Sequence, residues 1–443
     1  MRGMRKAIHK FRGGAHVPHH KDTAELESVR MPAPATVVLP MQQHIGAPCT
    51  PTVKVGDQVF VGQVIGDSDA FVSAPIHAPI SGTVKAIGPF LLSRGVSVEA
   101  IHIESDGQET LWEGITKPEI NNKADFLKAV RASGLVGIGG AGFPTHVKLN
   151  IREGVTVDTL VINGAECEPY ITSDYREVME NADHIINGIR RVMEYTGIPN
   201  ALIGIENNKP KAIALLAEKI VAGGLEDRIQ VVELPSHYPY GAEKMLVYAT
   251  TGRTVPLGGL PHDVGVVMVN ISGIAILDDY LDTGIPLIRK RVTVAGKAIA
   301  RPSNLIVPIG TSIQDVVDFC GGYNVEPDKI VAGGPMMGAA KYDGAAPIKK
   351  QDNSILCMTS DETFAPIDEP CIRCGRCVDA CPMSLMPTMI ERYARLDNPE
   401  MLKKLNASAC MECGSCAFEC PARRPLVQYL RQGKQVERKA VAK

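Results

Sequence analysis

The chain has 443 residues, a formal net charge of −2 and 5% aromatic residues. That length exceeds a single core and divides into about three or four domains of roughly 100–200 residues. The near-neutral charge and scarce aromatic platforms argue against a nucleic-acid binder. Residues 1–28 read as a polar extended arm. From Met1 to Gly14 the basic residues Arg2, Arg5, Lys6, Lys10 and Arg12 precede no apolar core, so they predict no signal peptide. His16, His19 and His20 gather beside Gly13 and Gly14, but no periodicity there fixes metal ligands.

Over 29–120, short β runs (35–39, 58–65, 82–87, 96–103) alternate with Gly, Pro and Asp, which predicts a small all-β module. Val55 to Val59, Gly62 to Ile65 and Ala78 to Val84 resemble the barrel-sandwich hybrid of biotinyl and lipoyl domains. Asp67 to Ile80, where such domains carry a modifiable lysine, has none. Docking is therefore expected of this module in place of a swinging arm. If it only docks, deleting residues 1–120 should leave the chemistry of the rest of the chain intact.

From 121 to 285 the period changes. Asn122 caps a short helix that Gly134 stops, and Gly137-Ile138-Gly139-Gly140-Ala141-Gly142-Phe143 follows, with Lys148 close behind. Bare N–H groups in such a loop close on a phosphate or a flat ring; the same glycines also serve plain turns. Strands at 157–162, 201–205 and 228–234 alternate with helices from 174, 211 and 241, the pattern of an α/β sheet with ligands at its carboxyl edge. Asn163, Glu166, Glu168, Glu206, Asn207, Glu243 and Asn270 fall at or after strand ends. Each alone reads as a turn residue or cap; together they outline a pocket. The apolar run Val264 to Leu277 is interrupted by Asn270 and Ser272 and is short of the roughly 20 residues a membrane helix needs.

Residues 286–358 return to short strands around a helix at 312–320, a β-grasp-sized module. An acidic linker from Thr359 to Pro370 opens the stretch 359–425, which holds eight of the twelve cysteines. Cys371-x2-Cys374-x2-Cys377-x3-Cys381-Pro and Cys410-x2-Cys413-x2-Cys416-x3-Cys420-Pro repeat the bacterial ferredoxin run. Its fourth cysteine serves the other cluster, so one [4Fe-4S] is assigned to Cys371, Cys374, Cys377 and Cys420. The other falls to Cys381, Cys410, Cys413 and Cys416. Zinc sites pair cysteines two by two, and without a secretory signal disulfides are not expected. The last stretch, 426–443, reads as a frayed basic tail.

The glycine loop, Asn163 to Tyr170, Tyr240 to Lys244, Phe11-Arg12-Gly13-Gly14 and the twin cysteine runs together resemble the RnfC family, one component of the Rnf complex, a membrane-bound ion-translocating ferredoxin:NAD oxidoreductase. The likeness runs the whole chain in order. The centre is also similar to the flavoprotein subunit of respiratory complex I, up to residue 371. Ile138 and Ala165 depart from that relative, which carries an arginine and an acid there. The resemblance implies a multidomain α/β protein: barrel-sandwich hybrid, Rossmann-like FMN/NADH domain, SLBB-like β-grasp module and α-helical two-[4Fe-4S] ferredoxin-like domain. It implies non-covalent FMN held by Gly137, Gly139, Gly140, Ala141, Gly142 and Lys148, with Asn163 and Glu166 on the ring or ribityl chain. Phe143, Glu168 and Glu243 would face NAD(H).

Partners implied are the other Rnf subunits, among them a ferredoxin-like iron-sulfur subunit and membrane-embedded ones, with the chain peripheral on the cytoplasmic side of the membrane. Nicotinamide gives two electrons as a hydride and clusters take one each, so a flavin is the converter between them. Two other functions fit the same modules: a cobalamin reductase of bacterial microcompartments, and a flavin-free iron-sulfur carrier scaffold.

Overall fold

The computed structural model describes residues 3–92, 95–363 and 369–441. At its centre lies a parallel sheet in the order Met4–Lys6, Ile229–Leu234, Asn200–Glu206, Thr159–Asn163, Val266–Asn270. The inner strands are buried almost throughout, as a parallel sheet covered on both faces requires. Helices Ser173–Thr196, Pro210–Ala222, Glu243–Thr251 and Ile271–Thr283 supply the cover. The carboxyl ends of the strands, Asn163, Glu206 and Asn270, therefore share one edge of the sheet.

The arm does not hang free. Met4–Lys6 pairs in parallel with Ile229–Leu234, and Ser28–Arg30 pairs with Ser303–Pro308 in the β-grasp sheet. The expected boundary between 28 and 29 thus cuts a strand, and deleting 1–120 would strip edges from two sheets. The reading of the N-terminal region as a removable docking unit is corrected on that ground. The β module itself is a barrel sandwich of two small sheets, one ordered Thr36–Pro40, Val96–Ser105, Gly82–Leu92, Gln58–Val59, the other Thr50–Pro51, Val64–Asp67, Ile76–His77. Asn122 caps helix Lys123–Ala132, accepting from Asp125 N.

The β-grasp sheet runs Ala339–Lys341, Lys329–Ala332, Ser354–Met358, Arg289–Ala295, Ser303–Pro308, Ser28–Arg30, with helix Ile313–Phe319 on it. Part of the acidic linker, 364–368, lies outside the described residues. Beyond it the cysteine module is helical, and its last helix is the largest departure from expectation. Leu426–Val441 is a helix, not a frayed tail. Leu426 and Leu430 are buried against Ile390, Ala394 and Leu402, and a Cβ on Gly433 would lie 3.0 Å from Leu402, so the small residue lets the helices close. The tail's basic residues are spent locally: Lys434 donates to Cys410 O at 2.9 Å and, with Arg431, pairs with Glu412.

Candidate functional site: a flavin-like pocket beside paired cysteine foursomes

The glycine loop closes on itself through Gly137 N to Phe143 O (2.9 Å) and is pinned from two other modules. Gly139 N donates to Gln351 O (3.0 Å) in the β-grasp module, and Ile45 N of the barrel sandwich donates to Gly142 O (3.1 Å). Gly139 has φ +69, and an added Cβ would stand 2.9 Å from Asn353, so glycine is required there. The tip, Gly139, Gly140 and Ala141, is exposed, while Ile138 is buried as a core residue. Phe143 is half-buried at the loop's end. Lys148, on the helix Thr145–Leu149, sits 4.0 Å from Glu243 at the start of helix Glu243–Thr251. Burial lowers the Lys148 pKa and Glu243 opposes the shift.

At the sheet's carboxyl edge, Asn163 Nδ2 donates to Gly241 O (2.9 Å) while its Oδ1 accepts from Ala165 N. Glu166, with φ +48, caps helix Ser173–Thr196 through Oε1, which accepts from Asp174 N at 2.6 Å. Its Oε2 is buried with no partner. Burial raises the Glu166 pKa, and Lys21 and Lys209 oppose that. The Glu168 carboxylate accepts from Met336 N (3.0 Å) and Met337 N (2.9 Å), so it holds the β-grasp turn. Burial lifts its pKa to about 7. Asn270 bonds Asp174 (2.9 Å), and Asn207 accepts from Ser236 N (3.1 Å); both act as local ties.

Two lysines were missed, Lys209 buried and Lys21 half-buried. Lys209 Nζ donates to Ala165 O (2.8 Å) and sits 3.6 Å from Glu206; its position just after a strand end was the available signal. Lys21 Nζ donates to Glu166 O (2.9 Å) and Glu168 O (2.8 Å), and nothing in its polar neighbourhood in sequence announced this.

The glycine loop, Lys148, Glu243, Asn163 and Glu166 fit a phosphorylated flavin. Bare N–H groups and a lysine suit its phosphate, and an orphaned buried carboxylate oxygen needs a donor that a flavin can give. Another cavity, of about 280 Å³ between Arg5, Arg228 and Arg253, opens at the amino end of Thr159–Asn163 and Asn200–Glu206. Arg253 is there fully engaged by Asp158 (2.7 and 2.8 Å), so this cavity is not the counterpart of the pocket.

The cysteine runs repeat in backbone as well as in sequence. Arg373 and Glu412 have φ +57 and +60, Gly375 and Gly414 +81 and +85, and each run then enters a short helix, Arg376–Asp379 or Ser415–Phe418. Cys371, Cys374, Cys377 and Cys420 line one cavity of about 170 Å³. Cys381, Cys410, Cys413 and Cys416 form the second group, close enough to perturb one another's ionisation. Burial raises the Cys416 and Cys410 thiols, the latter to about 11, so thiolates there require positive charge between them, as iron supplies. Backbone N–H groups already point at sulfur: Arg373 N at Cys371 (3.4 Å), Leu385 N at Cys381 (3.4 Å), Glu412 N at Cys410 (3.3 Å). Among the described residues no three His, Cys, Asp or Glu close on a single ion.

The two sites are joined. Tyr238 Oη donates to Cys413 O at 2.6 Å, Gly14 N donates to Ala380 O at 2.9 Å, and a Cβ on Gly414 would meet Met336 O at 2.8 Å. On the other side Cys371, Cys374 and Ile372 are exposed.

Known proteins match in the same order. Residues 9–108 match the RnfC barrel sandwich hybrid domain, 130–278 the Nuo51 FMN-binding domain, 291–340 the SLBB domain and 370–423 the 4Fe-4S dicluster domain. The chain is 44% identical over 439 residues to the C subunit of the proton-translocating ferredoxin:NAD(+) oxidoreductase complex of Clostridium ljungdahlii, covering 98% of this chain and 95% of that one. It is 42% identical to the Na(+)-translocating counterpart of Acetobacterium woodii, covering 96% of each chain. To the C subunit of the ion-translocating oxidoreductase complex of Rhodobacter capsulatus it is 42% identical over 97% of this chain and 84% of that one. A crystal structure of an NAD+-reducing [NiFe]-hydrogenase shares the fold, with TM-score 0.51 at 18% identity over 71% of this chain and 63% of that one. Four domains in family order and near full-length identity place the chain in one family: it belongs to the C subunits of ion-translocating ferredoxin:NAD(+) oxidoreductase complexes.

Proposed function

We propose that this chain is the nucleotide-side electron carrier of such a complex, exchanging electrons between NAD(H) and the neighbouring subunits. A bound FMN would supply the conversion of a hydride into single electrons. The glycine loop and Lys148 bind its phosphate, Asn163 and Glu166 orient it, and Phe143 and Glu243 border the mouth where nicotinamide enters. Glu168 acts one step back, fixing the β-grasp turn 333–338 against the flavin-side segment. The barrel sandwich and β-grasp pins on the loop exclude water from its inner side.

The cysteines hold two [4Fe-4S] clusters in unequal positions on this reading. Cys381, Cys410, Cys413 and Cys416 would hold the cluster on the flavin side, and Cys371, Cys374, Cys377 and Cys420 the one facing the partner; bound clusters would supply one-electron carriers in that order. The bond from Tyr238 to Cys413 O carries this order, since it ties the flavin domain to the first foursome while Cys371 and Cys374 face outward. Among the described residues no helix is long and apolar enough to cross a membrane. The chain attaches peripherally, on the cytoplasmic side, through its partner subunits. The test is rapid mixing of the cluster-loaded protein with NADH: Cys413→Ser should still bleach flavin but reduce no iron-sulfur centre. Reduction of the outer cluster in that variant would overturn the order.

A further inference from the structure

The arm touches both ends of this route within a few residues. At one end Gly14 N reaches Ala380 O, beside Cys381, and Ala15 exchanges hydrogen bonds with Tyr238 (2.9 and 3.1 Å), whose hydroxyl reaches Cys413 O. At the other, His19 O accepts from Tyr170 N (2.9 Å) and His20 stacks on the Tyr170 ring at 4.7 Å and 13°. Lys21 Nζ then donates to three carbonyls of one turn, Glu166, Glu168 and Ile171, at 2.9, 2.8 and 2.5 Å.

An ammonium has three donors, and here the backbone takes all of them. The turn is unusual in needing them. Glu166 and Tyr170 both have positive φ, +48 and +68, and the carbonyls converge on one point, which is tolerable only with a cation at that point. Lys21 is supplied from outside the flavin domain, by the same strap that grips the loop of the nearer foursome. With no donor to spare it does no chemistry.

We propose that Lys21 is a positioning residue that fixes the flavin-carrying turn Asn163–Ile171 at a set distance from the nearer cluster, the segment Gly14–Lys21 being the strap between them. The inference rests on the electron route proposed above. The charged groups that face Lys21 are Glu166, Glu206 and Lys209, with the Cys167 thiol beside them. A half-buried cation there also favours the extra negative charge of a reduced ligand in the pocket, so its loss has an electrostatic signature distinct from loosened packing.

The experiment uses the full chain loaded with FMN and iron-sulfur clusters, native and as Lys21→Met, Lys21→Arg and Tyr238→Phe. Stopped-flow with NADH separates flavin bleaching from cluster reduction, and a redox titration reads the flavin potential. Lys21→Met should lower the flavin potential and slow cluster reduction about tenfold or more, with flavin bleaching nearly unchanged. Lys21→Arg should restore the potential. Tyr238→Phe, which removes one hydroxyl at the far end of the strap, should slow cluster reduction and leave the potential alone. A native cluster-reduction rate together with an unmoved potential in Lys21→Met would overturn the proposal. Should Lys21→Met fail to fold, Lys21→Gln is read the same way, and a native cluster-reduction rate with an unmoved potential in that variant would overturn it. If NADH bleaches no flavin in the native protein, the route fails instead.

Discussion

In the cysteine module every proposed ligand comes from two short runs whose backbones repeat one another, down to matching positive φ at Arg373 and Glu412. The flavin-side pocket has no such economy. Its glycine loop is pinned by Gln351 and Ile45 from two other modules, its carboxylate edge is assembled from three strand ends, and its turn is held by a lysine of the arm. A metal centre demands a fixed set of sulfur atoms at short range, so its specification is local. A non-covalent cofactor is held by many weak contacts, so its specification is spread over the tertiary structure.

That contrast breaks first at the cysteines. Cys413→Ser should abolish electron flow past the flavin and remove about half of the iron, a purely local effect; iron analysis and EPR at low temperature decide it. Loss of both clusters and of FMN from this one change would show that the modules are not separable. Leu430→Ala sharpens the same point, because Leu430 is buried in the helical core behind the cysteines. It should cost about 2–5 kcal/mol, seen as earlier thermal loss of cluster absorbance while flavin release keeps its native midpoint.

On the pocket side the effects should be smaller and cross module boundaries. Gly139→Val forces a branched residue into a left-handed position at about 1–2 kcal/mol, so FMN should bind about tenfold more weakly by fluorescence quenching while iron content is unchanged. Lys350 gives the finest test. It is buried where three modules meet, donating to Pro75 O and Gly134 O (2.5 and 2.7 Å). Burial lowers its pKa from 10.5 to about 7. A lowered lysine stabilises the fold least once it is charged in both states: its contribution is present above pH 10.5, declines as pH falls, and is lost through pH 7. Native stability should thus fall relative to Lys350→Met between pH 9 and about 6.5, by at most about 1.4 kcal/mol per pH unit. Parallel denaturation midpoints for the two proteins across that range would remove the claim.

The same contrast decides what the sequence discloses. Cysteine spacing announced both foursomes, and the alternation of apolar runs with helices announced the parallel sheet, because each is written within a few dozen residues. Met4–Lys6 was missed since an edge strand of Met-Arg-Lys carries no apolar pattern and exists through its partner Ile229–Leu234. Helix Leu426–Val441 was hidden by its charge, although Leu426, Val427 and Leu430 mark a buried face. Lys21 could not be found at all: three backbone carbonyls some 150 residues away hold it, and backbone leaves no mark in a sequence. The motif around Glu168 names the residue but not the turn at Met336 and Met337 that its carboxylate grips.

The measurement closest to the central claim is an anaerobic NADH titration of the FMN- and cluster-loaded protein, following flavin bleaching in the visible and both clusters by EPR. NADH should bleach the flavin and both cluster signals should then appear in the native protein, whereas only flavin bleaching should survive in Cys413→Ser. Clusters that respond to dithionite but never to NADH, with FMN bound, would contradict it.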